Sequence, residues 1–164
     1  MSGHHVGESP FITPAARWVG ELRAARGPVD AWIQEVATDA WCAPRGGRWT
    51  RKDLLGHLTA WLDFLLDQVE ALRDNRPDVI EAIQVDAWNA VEVERRRHWT
   101  VEATITGWRR SAQRADEVIS ALSPAAWTGR WRVAWSAEPV SIDNLIELVV
   151  VHLRQHRSEL AEDT

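Results

Sequence analysis

Apolar residues recur at helical spacing along most of this chain. Trp18, Leu22, Val29, Ile33 and Val36 form a first stripe between Thr13 and Thr38. Gly27-Pro28 falls inside it; proline lacks a backbone donor and crowds the preceding turn, so a kink or break is expected there. After the loop WCAPRGGRW, Thr50 suits an N-cap, with Asp53 three residues on where a capping box has its acidic or amide partner. The helix it opens is expected from Arg51 to near Asp74, with Leu54, His57, Leu58, Trp61, Leu65 and Val69 on one face. Asn75-Arg76-Pro77 closes it.

From Ile80 to Leu122 the helical pattern resumes in two pieces. The first holds DAWNAVEVERRRHW; the second opens at Thr100, another N-cap candidate, and carries Ile105, Trp108, Ala115, Val118, Ile119 and Leu122. Ser123-Pro124 is expected to stop it. Between Trp127 and Pro139, Trp131, Val133 and Trp135 alternate with Arg132 and Ala134, the period of an extended segment or short strand. Ser141 caps a last helix expected to run to Ala161, with Leu145, Leu148, Val149, His152, His156 and Leu160 inward on one face. Four long helices with short connections predict an all-α, antiparallel four-helix bundle with a short extended segment before the last helix. The predicted organisation is a flexible tail over residues 1–12, carrying His4 and His5, and a single bundle domain over 13–164.

Composition narrows the function. The chain has 164 residues, enough for one domain with a real core. A formal net charge of −5 makes no whole-protein case for nucleic acid. One cysteine, Cys42, rules out an internal disulfide, and a reducing cytoplasm is the expected setting. No secretion signal or membrane-spanning run is evident. Eleven tryptophans and no tyrosine fit either a helical core with tryptophan edges or an aromatic-walled pocket.

The chemistry concentrates in three histidines. Residues four apart on a helix lie one turn above each other, about 6 Å between Cβ atoms. Two imidazoles at that spacing can chelate one divalent ion through bonds of about 2.1 Å. His152 and His156 have it, and His57 lies on the inward stripe of the second long helix. A bundle builds metal sites from side chains on facing helices, so the three can converge. The alternative is three satisfied core histidines. Leu153, Arg154 and Gln155 stand between the pair, so there is no H-E-x-x-H and no zincin-type general base.

The segments WTRKDLLGHLTAW, DAWNAVEVERRRHWTVEATITGWRRSAQRADEVISALSPAAW and NLIELVVVHLRQHRSEL together resemble the DinB/YfiT-like metalloenzyme family. They are also similar to the N-terminal domain of mycothiol-dependent maleylpyruvate isomerase. The resemblance implies a four-helix bundle, commonly homodimeric, in which His57, His152 and His156 bind zinc or nickel. It further implies transfer or isomerisation with a small thiol such as mycothiol, acting on an electrophilic metabolite or xenobiotic. The W-N-A element, Trp88 to Ala90, also resembles the ClbS/DfsB-type proteins. Those imply a second reading, a resistance or binding protein that hydrolyses or sequesters a reactive natural product.

Other residues admit two readings each. Trp61, one turn beyond His57, is a pocket wall or plain core. Asn89 orients a ligand or bridges helices, and Asp86 lies in the same segment. Arg154 and Arg157 hold an anion or are solvated. Glu159 orients His156 or forms a surface ion pair. Arg95 to His98, with Glu92, Glu94 and Glu102 near, reads as an exposed face laced by helical ion pairs rather than a nucleic-acid patch. Cys42 is a small apolar residue, or a reactive thiol helped by Arg45 and Arg48.

Overall fold

A computed structural model describes residues 12–46, 49–80 and 82–161. The tail expected over 1–12 therefore lies outside the described residues except for Ile12, as do His4, His5 and Arg48. Within them the chain is helical: α1 Pro14–Glu35, α2 Arg51–Arg73, α3 Val85–Arg96, α4 Val101–Ser120, α5 Pro124–Thr128, α6 Ile142–Gln155 and α7 Arg157–Ala161. Single 3₁₀ turns stand at Thr38–Ala40 and Pro77–Val79.

The caps explain why these helices begin where they do. Thr13, Thr50, Thr100, Ser123 and Ser141 each accept a hydrogen bond from a first-turn amide. At Thr50 the box is reciprocal: Asp53 N donates to Thr50 Oγ1 at 3.1 Å and Thr50 N to Asp53 Oδ2 at 3.3 Å. Asn144 completes a second box at Ser141. At its other end α2 closes in a Schellman turn, with Arg76 N on Ala71 O, Asn75 N on Leu72 O, and Asn75 at φ 53°. Asparagine tolerates that left-handed conformation better than most residues.

The break expected at Gly27-Pro28 does not occur, and α1 runs through Pro28. Proline inside a helix costs about 3 kcal/mol. Trp18, Leu22, Val29, Trp32 and Ile33 are buried on both sides of it, and each large side chain returns about 1.5–3 kcal/mol. Packing therefore carries the helix across the defect. Two other boundaries differ from expectation. Ser123-Pro124 does stop α4, but Ser123 also caps the short helix α5. The last helix ends at Gln155 and restarts at Arg157, with His156 at φ −77°, ψ −5° as its C-cap.

α2 is the central element: Leu54 through Ala60 are all buried. It packs on α4, α6 and α3, while α1 packs on α4 and α6. Polar ties fix the outer helices. Asp143, in the first turn of α6, accepts from Trp18 Nε1 at 2.5 Å and Arg17 at 3.0 Å, both on α1. Buried Arg26 of α1 donates to Ala112 O at 2.7 Å and Asp116 Oδ1 at 2.8 Å on α4. The extended segment before α6 makes one antiparallel bridge, Trp131 to Val140, rather than a strand. The Trp131 ring lies over Gly129, where a Cβ would come within 2.0 Å of it. Among the described residues no helix is long and apolar enough to cross a membrane.

Candidate metal centre

His57 stands in the buried second turn of α2, held there by the Thr50–Asp53 box and by Leu54, Leu55 and Leu58 in the core. His152 lies in the last turn of α6, and His156 caps that helix. The three rings form a near-equilateral triangle: 5.1 Å from His57 to His152, 5.1 Å from His57 to His156, and 4.7 Å between the last two. One nitrogen from each lies within 4.8 Å of the other two. A tetrahedral ion with bonds of about 2.1 Å spaces its nitrogens by about 3.4 Å, so small ring rotations would close the difference. His156 N donates to His152 O at 3.3 Å, so the four-residue helical spacing that sets one ring above the other is kept up to the cap.

The donor chemistry fits a divalent cation. His57 is 3 % exposed, and among the described residues its Nδ1 has no hydrogen-bond partner; neither does His152 Nε2. Buried ring nitrogens left unpaired are costly, and a metal would satisfy both. Burial, reinforced by His152 and His156, lowers the His57 pKa to about 3. Burial and then His156 lower that of His152 to about 4. Both imidazoles are therefore neutral at pH 7 with lone pairs available. Glu159 Oε2 lies 3.2 Å from His156 Nδ1. With the proton on Nδ1 facing that carboxylate, Nε2 is the nitrogen left for a cation.

The triangle opens into a cavity of about 640 Å³ between α2, α6 and the segment leading into α3. Trp61 is a wall of this cavity, not plain core; its ring lies 5.2 Å from His152 and 4.8 Å from Trp88. Asn89 also lines it and bridges helices, accepting from Trp61 Nε1 at 2.9 Å. Trp49, 4.6 Å from His57, and Phe64 extend the aromatic surface. Leu148, expected inward, is 48 % exposed because it faces this open cavity rather than a neighbouring helix. Gln68, a residue the hydrophobic pattern passed over, lines the far part.

Several candidates fall elsewhere. Arg154 is not at the site: it points across the surface to Glu21 of α1 at 2.5 Å. Neither it nor exposed Arg157 lines the cavity. Asp86 is exposed. Arg95 pairs with Glu92 at 2.7 Å and Arg97 with Glu94 at 2.7 Å, as the ion-paired face predicts. Arg96 departs from it: its side chain packs over Trp99 and against buried Glu92. His98 is exposed, away from the triangle, and Cys42 is a free, exposed thiol.

A family model described as DinB superfamily matches residues 21–160, the span that holds all three histidines and the cavity. No curated protein and no solved structure matches the chain.

Proposed function

This chain belongs to the DinB superfamily, and we propose that it is a metal-dependent enzyme acting on an electrophilic metabolite or xenobiotic with a small thiol of the mycothiol kind. His57, His152 and His156 would hold a divalent ion, zinc before nickel. The observation that carries this reading is the convergence of three imidazoles, two of them with buried, unpartnered nitrogens, at the mouth of an apolar cavity. When bound at three neutral histidines, such an ion keeps a position open and lowers the pKa of a thiol or water placed there.

The chain's own residues would supply the rest. Glu159 sets the His156 tautomer and ring angle. Trp49 and Trp61 flank the imidazoles and keep water from their faces. Among the described residues lining the cavity there is no Ser, Thr, Cys, Asp, Glu, Lys or Arg. A nucleophile must then come from solution, as a thiol or water, rather than from a side chain. The thiol is favoured by the family resemblance, as is a homodimer. The same apolar walls also suit the second reading, in which a reactive natural product is hydrolysed or simply held.

Metal content decides the premise. Mass spectrometry on untagged protein is expected to give near one equivalent of metal in the wild type and little in His57→Ala and His152→Ala. Wild type that stays metal-free after incubation with zinc or nickel at neutral pH would overturn the proposal. With metal established, substrate loss that requires both metal and thiol supports the transferase reading. Loss without thiol, or binding without turnover, moves the assignment to the second reading.

A further inference from the structure

The cavity runs well beyond the histidines. Along α2 its wall includes His57, Trp61, Phe64, Leu65 and Gln68. Gln68 stands eleven positions after His57, a little over three helical turns and about 16 Å of helix at about 1.5 Å per residue. The same lining includes the apolar Ile83, Trp135 and Leu148, and no charged side chain among the described residues apart from the histidines. Gln68 itself is 6 % exposed, and its Oε1 is buried without any hydrogen-bond partner. A buried amide oxygen left unpaired is costly, and a helix position on a core stripe would be served better by leucine. No described residue supplies that oxygen with a donor, which leaves it to a ligand in the cavity.

We propose that Gln68 is a specificity residue: it takes the uncharged polar group, a hydroxyl or amide N–H, of an elongated and otherwise apolar ligand whose reactive end lies at His57, His152 and His156. A hydroxyl satisfies either end of the glutamine amide, because it both donates and accepts. A carboxylate or phosphate would meet no cationic side chain among the described lining residues and would face the amide oxygen with like polarity. The aromatic walls at Trp61 and Phe64 favour a flat, unsaturated body. The inference rests on the proposed function only for which end of the ligand reacts; the polar anchor stands on the Gln68 geometry.

The test uses three matched probes, naphthalene, 2-naphthol and 2-naphthoate, by equilibrium dialysis against the full chain stripped of metal by chelator, so that no ion at the histidines can take the carboxylate or the hydroxyl. Wild type is expected to bind 2-naphthol about fivefold more tightly than naphthalene, the worth of one ordinary hydrogen bond. 2-Naphthoate is expected to be the weakest of the three. Gln68→Leu should bring 2-naphthol and naphthalene to equal affinity. Gln68→Met repeats the comparison with an unbranched side chain, and melting curves on both variants confirm the fold. An unchanged 2-naphthol preference in either folded variant would sink the inference. So would 2-naphthoate binding as tightly as 2-naphthol, or no binding of any probe to wild type. If wild type takes up no zinc, the proposed chemistry fails, yet the Gln68 contrast in stripped protein still decides this inference.

Discussion

His57 and His152 share one condition: each is buried, neutral, and short of a partner on one ring nitrogen. The same burial makes them a liability in acid. Their native pKa values, about 3 and about 4, lie below the unfolded value of 6.5. Between pH 6.5 and those values the unfolded chain binds more protons than the native one, so stability falls as pH is lowered through that window. Each such histidine contributes a slope of up to about 1.4 kcal/mol per pH unit. Metal-free protein unfolded by urea at pH 7, 6 and 5 should therefore weaken progressively. His57→Leu should show a shallower decline over that range; an identical decline would mean that His57 is not held neutral in the native state. Gln68 carries the opposite expectation. Replacing its unpartnered amide by leucine should raise stability by about 1 kcal/mol, since a buried unsatisfied group disappears. Equilibrium unfolding of Gln68→Leu checks this, and a loss of stability would show that the amide is already satisfied within the protein.

At the scale of elements, much of the bundle is legible in the amino-acid pattern. The caps at Thr50, Thr100 and Ser141 are local chemistry, and local chemistry is what a sequence displays. What it hides is decided by neighbours. Pro28 sits inside a continuous helix because buried side chains on both sides outweigh its penalty. The exposure of Leu148 arises from a cavity, which periodicity cannot display because an apolar stripe looks the same facing a helix or facing a void. The spacing of the three histidines is visible in the sequence; of the two readings of Arg154 the exposed one holds, but its pairing with Glu21 is not visible, because 133 residues separate them. Gln68 carries a signal in the sequence, a polar residue three turns beyond His57 on the same face. Arg26 had the same signal, four residues after Leu22 on the α1 stripe, and it ties α1 to α4 through Asp116. Asp116→Ala would leave that buried guanidinium with only the Ala112 carbonyl, at a cost of about 3 kcal/mol. Arg23→Ala removes the exposed partner of the same carboxylate and should cost less than about 1 kcal/mol. Denaturant midpoints of the two variants test the contrast; equal losses would show that burial does not set the strength of this tie.

For the whole molecule, the candidate metal site lies between the central helix and the end of another. α2 is buried through the middle of the bundle, whereas α6 ends at the site and the chain turns there into the five-residue α7. An ion bound by His57, His152 and His156 would close a link from the central helix to that end. At free metal about 1,000 times the dissociation constant, binding to the native state alone adds about 4 kcal/mol. For a chain of this size that corresponds to a rise in melting temperature of roughly 8–16 °C, at about 2–4 °C per kcal/mol. Zinc should produce it in wild type and not in His57→Ala. The rise alone does not separate a catalytic ion from one that merely staples helices, because both stabilise the native state. Amide exchange can separate them. A staple occupies all coordination positions with protein groups, so protection gained around His152 to Leu160 should be the same with or without a small thiol. An open catalytic ion takes the thiol as a further ligand, and thiol should then add protection around Trp49, Trp61 and Asn89, which line the cavity beside the imidazoles. The amides of Ala112 and Asp116 on α4, which take the buried Arg26 and do not line the cavity, should exchange alike in every state. Zinc-dependent protection that thiol leaves untouched would assign the ion a structural role and remove the transferase reading.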